Sequence, residues 1–229
     1  MIHVHYAIRR KPGMGGEEFH RYWRDVHGPI ARRIPQMRRY VQSHRIALGA
    51  EAEDSPFDGV AEVWVDDEAA LQDLLRGREY RDGALADEPK FIDMDRVAWV
   101  YTSDYVVLEG APVRRDTSLV KGIFLIKRRP GSSLSEFRRY WKEVHGPIVL
   151  RNQGLRRYVQ CHPLESSYGH EEPRFDGVAQ LWLDDADAAK SLLESTEFKE
   201  VSWPDAGKFL DMSSIVSFFC EEHRVIWPS

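Results

Sequence analysis

Two histidines stand directly before a Gly-Pro dipeptide: His27 in "RYWRDVHGPI" (21–30) and His145 in "RYWKEVHGPI" (139–148). His27 follows Phe19 and Trp23 at four-residue spacing, so on a helix it shares their apolar side and sits at the helix end. An imidazole poised there between burial and solvent titrates near neutrality and can take up and return a proton. The same position also suits a C-terminal cap, with the ring bonding the last carbonyls. Further on, "RRYVQSH" (38–44) reads as a strand with Tyr40, Gln42 and His44 on one face and Val41 and Ser43 on the other. A phenol, an amide and an imidazole in a row supply a donor, an anchor and an acid/base. The alternative is a polar row bonding across a seam. "RRYVQCH" (156–162) repeats the trio as Tyr158, Gln160 and His162.

Three further groups carry chemical potential. Glu62 shares a strand face with Val60 and Trp64, and a carboxylate there is costly to bury unless it is paired or used. It could orient His27 or His44, act as the base itself, or pair with arginine at a seam; Gln180 replaces it in the second copy. Arg33, Arg38 and Arg39 recur as Arg151, Arg156 and Arg157. One of each set, Arg33 or Arg151 at a pocket mouth, could clamp a substrate carboxylate, while a solvated basic face explains the others. His3 and His5 lie two apart on a strand, a spacing that chelates a metal only with a third ligand, and the sequence maps none. No metal site is therefore assigned, and surface or seam positions are expected for both. "RKPGMGGEE" has neither dinucleotide-binding spacing nor a P-loop lysine, and there is no nucleophile elbow. The expectation is an activity needing no cofactor.

The elements that must position these groups come as a duplicated set. His27 and His145 are 118 residues apart, and the same offset relates "FDGVAEVWVDD" (57–67) to "FDGVAQLWLDD" (175–185) and "KFIDM" (90–94) to "KFLDM" (208–212). A period above 100 residues exceeds solenoid and propeller repeats, so each copy is a whole domain: residues 1–107 and 119–229, joined by a linker over 108–118. Each copy reads β-α-β-β-α-β. In the first, strands are expected over 2–10, 38–46, 58–65 and 95–106. Helices are expected over 17–27, with Phe19, Tyr22, Trp23 and Val26 as its stripe, and over 66–83, broken near Gly77. Gly28-Pro29 is expected to end the first helix. "SLSE" at 133–136 is a capping-box pattern. The fold class is α+β: two ferredoxin-like units, each a four-stranded antiparallel sheet with helices on one face. The bare sheet faces then close on each other, so the chain makes its own pseudo-dimer; further homodimerisation stays open.

Composition narrows the class. The 229 residues carry a net charge of −5, which argues against nucleic acid. There is no apolar run of membrane-spanning length, and the opening "MIHVHYAIRR" reads as a strand rather than a signal segment. Cys161 and Cys220 show no ligand spacing and read as reduced thiols, which points to the cytoplasm.

The run "F-x-x-Y-W-x-x-x-H-G-P", then "R-Y-V-Q-x-H", then "F-D-G-V-A-x-x-W" resembles the EthD family of the dimeric α+β barrel superfamily. The resemblance covers both copies and implies the barrel. It implies chemistry only within a range that spans lactone isomerases, cyclases, decarboxylases, cofactor-free monooxygenases and haem-handling proteins. It also implies that the histidine before Gly-Pro faces a pocket. The resulting expectation is a lyase or isomerase acting on a small, hydrophobic, aromatic and acidic metabolite. His27 or His145 transfers the proton, and Tyr40, His44, Tyr158, His162 and Glu62 assist. Phe19, Trp23, Gln42, Trp64 and Arg33, with Phe137, Trp141, Gln160, Trp182 and Arg151 in the second copy, bind substrate. A binding barrel without catalysis, an oxygenase accessory and a cofactor-free or haem-dependent monooxygenase are the alternatives. Trp99 to Ser217 and Tyr101 to Phe219 make the copies inequivalent, and His27 is preferred because its copy keeps Glu62.

Overall fold

A computed structural model describes residues 1–48, 55–169 and 172–228. Its eight strands are β1 (Ile2–Ile8), β2 (Arg39–Arg45), β3 (Gly59–Val65), β4 (Ala98–Leu108), β5 (Val120–Ile126), β6 (Arg157–Pro163), β7 (Gly177–Leu183) and β8 (Val216–Ile226). They close into one barrel in the order β1-β3-β2-β8-β5-β7-β6-β4. All neighbours are antiparallel, and the two units meet at two seams, β2 with β8 and β4 with β6. The two ferredoxin-like sheets thus complete each other's edges, as the alternation of residues implies.

Side-chain alternation sorts each strand between two cores. On β1, Val4, Tyr6 and Ile8 pack outward beneath the first unit's helices, in a core with Phe19, Trp23 and Phe91. His3 and His5 point the other way, into the barrel, and both are fully buried. They are interior residues, not surface ones. The second unit repeats the outer core around Phe137, Trp141 and Phe209.

The first helix departs from expectation at its C-terminal end. An α-helix over Gly16–Tyr22 runs into a π-helical turn over Trp23–His27 and resumes over Gly28–Ala31. Gly28-Pro29 does not stop it. Proline lacks an N–H and crowds the carbonyl four residues back; the wide turn relieves both, with the Gly28 N–H bonding the Trp23 carbonyl instead. His27 is therefore mid-helix and caps nothing, and Val26 is turned to solvent rather than into the stripe. The second unit repeats this at Trp141–His145. Ser133 forms the expected capping box with Glu136, a feature worth about 1 kcal/mol. The second helical stretch is an α-helix over Glu68–Arg76, capped by Asp67, followed by shorter turns through Lys90.

The "FDG" of each repeat has a packing cause. A Cβ on Gly59 would lie 2.6 Å from the Ser43 carbonyl oxygen and 2.6 Å from the Trp23 ring; one on Gly177 would lie 2.8 Å from Trp141. Only glycine leaves room for the edge of the indole against the strand.

Candidate active site

Each unit encloses a small cavity between its helices and the outer face of its sheet. The first, about 70 Å³, is lined by Tyr6, Trp23, His27, Tyr40, Tyr80 and Glu88 among mostly aliphatic neighbours. The second, about 60 Å³, has Phe124, Trp141, His145, Tyr158, Phe198 and Ala206 in the corresponding positions. Both histidines that precede Gly-Pro therefore reach a cavity.

What orients His27 is a carboxylate that the sequence pattern did not single out. Its Nδ1 lies 3.0 Å from Asp87 Oδ2. Asp87 also accepts from the Tyr22 hydroxyl at 2.9 Å and pairs with Lys90 Nζ at 3.0 Å. Burial by itself would raise the Asp87 pKa, but the bonds from Lys90, His27 and Tyr22 hold it below the usual carboxylate range. An ionised Asp87 fixes the proton on His27 Nδ1 and leaves Nε2 as the basic nitrogen. Burial lowers the His27 pKa against the pull of Asp87, so the ring is neutral at neutral pH. His145 repeats the dyad with Asp205 at 2.9 Å, Tyr140 and Lys208. The clue was available: Asp87 and Asp205 keep the 118-residue offset, three residues before "KFIDM" and "KFLDM".

The predicted strand row serves to position this dyad. Gln42 Nε2 donates to the Trp23 carbonyl at 2.8 Å, the same oxygen that accepts from Gly28. Gln42 thus clamps the π turn that presents His27, while the Tyr40 hydroxyl accepts from Gln42 and from Trp23 Nε1. Because the amide nitrogen is used in this way, Gln42 Oε1 accepts from His44 Nε2 at 3.3 Å, leaving His44 Nδ1 to accept from His20 at 2.9 Å. His44 packs behind the cavity against Trp23, its ring tilted 52° to the indole, and burial, then His20, pushes its pKa down to about 2. That takes it out of proton transfer at neutral pH. Gln160 repeats the clamp on Trp141, and His162, held down at about 3 chiefly by burial, backs it.

Other expected residues stand elsewhere. Phe19 and Phe137 are core residues behind the cavity walls. Glu62 lies inside the barrel, accepting from Ser43 and from Gln180 and pairing with Lys121 Nζ at 2.7 Å; it touches neither His27 nor His44. Trp64 and Trp182 also face inward, donating to Asp104 and Glu222. Arg33 is exposed, as is Arg151, which lies 4.0 Å from Glu197. No Arg or Lys lines the first cavity among the described residues, so nothing there clamps a carboxylate.

Among the differences between the two linings, four remove a polar group from the second cavity. Tyr6, Tyr80, Glu88 and Tyr101 become Phe124, Phe198, Ala206 and Phe219. The Tyr6 hydroxyl donates to Glu88 Oε2 at 3.1 Å, and Trp99 stacks on Tyr6 at 3.7 Å. Burial raises the Glu88 carboxyl to about 7 against the Tyr6 hydrogen bond. The first cavity thus pairs a basic imidazole with a carboxylic acid that keeps its proton near neutrality. The second keeps the imidazole and loses the acid, gaining Asn152 bonded to Ser202 at 2.8 Å.

The fold recurs in solved structures of low sequence identity. An anthrone oxidase-like protein superposes with a TM-score of 0.68 at 11% identity, covering 98% of this chain and 92% of that one. A haem-binding protein from Thermus thermophilus gives 0.52 at 12%, covering 96% and 90%. A protein of the ethyl tert-butyl ether D family from Bacillus halodurans, 23% identical, covers 44% of this chain and 95% of its own with a TM-score of 0.37, the extent of one unit. No curated protein matches the sequence. The EthD domain matches twice, over residues 11–95 and 129–213, and the chain belongs to the EthD domain family.

Proposed function

We propose that the first unit's cavity is an active site in which His27 removes a proton from a small, neutral aromatic ketone or phenol. The observation that carries this reading is the His27–Asp87 dyad facing the same cavity as a protonated Glu88. His27 Nε2 takes the proton from the carbon or oxygen acid. The electron pair moves onto the substrate oxygen, which accepts a hydrogen bond from the Glu88 carboxyl. His27 then returns the proton to another carbon, or to a leaving group as it departs, so the reaction is an isomerisation or an elimination. A neutral substrate replaces the acidic one expected earlier, because the lining carries an acid and no cation. A cavity of about 150 Å³ accommodates benzene, so a ring-sized substrate needs the lining of the cavity of about 70 Å³ to yield as it enters.

A second reading uses the same carbanion with molecular oxygen as the acceptor. It is favoured by the anthrone oxidase-like structure, which matches along nearly the whole chain. Haem, named for another fold neighbour, suits the cavity poorly: a macrocycle exceeds it many times over, and the lining offers Glu88 where propionates need cations.

Anthrone in deuterated buffer is the first probe. Enzyme-dependent exchange of its acidic methylene hydrogens without oxygen uptake supports the isomerase or lyase reading, and uptake supports the second. A rate equal to that of the buffer with anthrone and with simpler aryl ketones removes both and leaves a binding protein. The rate should follow a bell in pH, its acid limb below the ordinary histidine range, where His27 protonates, and its basic limb near 7, where Glu88 ionises.

A further inference from the structure

The barrel interior holds a group of side chains on the opposite sheet face from the His27 cavity and independent of it. A ring nitrogen of His3, one of His5 and Cys161 Sγ all lie within 4.8 Å of one another, and all three residues are buried. The strand register brings them together across the β4–β6 seam. His3 stands opposite Thr102 on β4, and Asp104, two residues along on the same face, stands opposite Cys161 on β6. The ligands therefore come from both units: histidines from the first, the thiol from the second.

The hydrogen bonds decide which atoms are available. The Thr102 hydroxyl gives its single proton to the His3 carbonyl at 3.0 Å, so it accepts from His5 Nε2 at 3.1 Å. His5 therefore carries its proton on Nε2, and Nδ1 is a bare lone pair, fully buried and without a hydrogen-bond partner among the described residues. Such a nitrogen is costly to bury unless something electropositive meets it. His3 Nδ1 is 3.9 Å from Cys161 Sγ, close to the roughly 3.5 Å separating N and S ligands on a tetrahedral zinc. Asp104 Oδ1, 2.8 Å from His3 Nδ1, is placed to meet the same ion as an oxygen ligand. Asp104 also lines an open, polar pocket of about 220 Å³ at the barrel end, which gives an ion its way in.

The second seam shows what this position calls for. Where the first unit has His3, the second has Lys121, whose ammonium sits 2.7 Å from Glu62 and 2.6 Å from Glu222. His5, Thr102 and Cys161 correspond there to Ile123, Cys220 and Ser43. One seam is thus occupied by a fixed cation, and the other by a nitrogen and sulfur donor set.

We propose that His3, His5 and Cys161, with Asp104 as the oxygen donor, form a binding site for a borderline-soft divalent cation such as Zn²⁺, which fastens the two units together. On binding, the thiol proton of Cys161 and the Nδ1 proton of His3 leave to solvent, and the thiolate, two imidazoles and the carboxylate take the ion.

The test uses the full chain, stripped with chelator and titrated with Co²⁺. The site predicts saturation at one ion per chain, with a near-ultraviolet thiolate-to-cobalt band that Zn²⁺ abolishes. Cys161→Ser and His5→Ile install the residues found at the equivalent positions of the other copy, so the fold has already accommodated each. Each should lose the band and weaken Zn²⁺ binding at least about 100-fold, while Cys220→Ser keeps both. His27→Gln, in the cavity, should leave the titration unchanged, so failure here is separable from failure of the catalytic reading. Should either ligand variant prove unfolded by circular dichroism, zinc-dependent elevation of the wild-type Tm decides instead. No saturation at one ion per chain, a band that survives Cys161→Ser, or a Tm unmoved by zinc overturns the site.

Discussion

The two cavities share a scaffold and differ in their chemistry. Both present a histidine from a π turn, hold its Nδ1 with an aspartate and clamp the turn with a glutamine. Only the first adds Glu88 and its Tyr6 partner; the second fills those positions with Ala206 and Phe124. After a duplication, packing keeps the scaffold in both copies, because the barrel needs both to close. Nothing in packing requires the Glu88 carboxyl, whose burial raises its pKa and so costs stability. On the proposed function, Glu88 distinguishes the working copy, and the shared dyad does not.

The scaffold half of that comparison should be symmetric. Gly59→Ala and Gly177→Ala each drive a Cβ into a tryptophan ring and a backbone carbonyl, and each should cost about 3 kcal/mol in denaturant unfolding. A large cost at one site and none at the other would mean that the units are not equivalently packed.

The Glu88 half should be asymmetric and dependent on pH. Its folded pKa of about 7 lies above the unfolded 4.5, so its contribution to stability is fully present below pH 4.5 and lost as pH rises through 7. Glu88→Gln should gain on the wild type over that window by about 3 kcal/mol, read as a Tm difference that widens with pH. A constant difference would place Glu88 in a solvated setting. The same variant should slow turnover and remove the basic limb of the pH profile.

The smallest effects concern the clamp. Gln42→Ala and Gln160→Ala each release a π-turn carbonyl and should cost about 1–2 kcal/mol of stability alike. Only Gln42→Ala should lower kcat. Equal kcat losses would make both cavities active.

Much of the scaffold was legible in the sequence, because the 118-residue offset and the period-two alternation come from packing. The reading that put Tyr40, Gln42 and Val41 on opposite faces followed from strand geometry, and the structure has them so. The helix stop at Gly28-Pro29 failed because a π turn satisfies proline without breaking the helix, and local propensity does not signal it. The preference for His27 rested on Glu62, which lies in the barrel interior, beyond contact with the ring. Alternation put Glu62 on a face but could not say which face looked into the barrel. Asp87 and Glu88 carry no periodic signal in the sequence, because they sit among short irregular turns.

The central claim is that one of two matching histidines works, and parallel kinetics of His27→Gln and His145→Gln on a turned-over aryl ketone test it most directly. A fall in kcat of about 10²–10⁴-fold is expected for His27→Gln and of less than about twofold for His145→Gln, both folded. Equal losses, or a larger loss for His145→Gln, would contradict it.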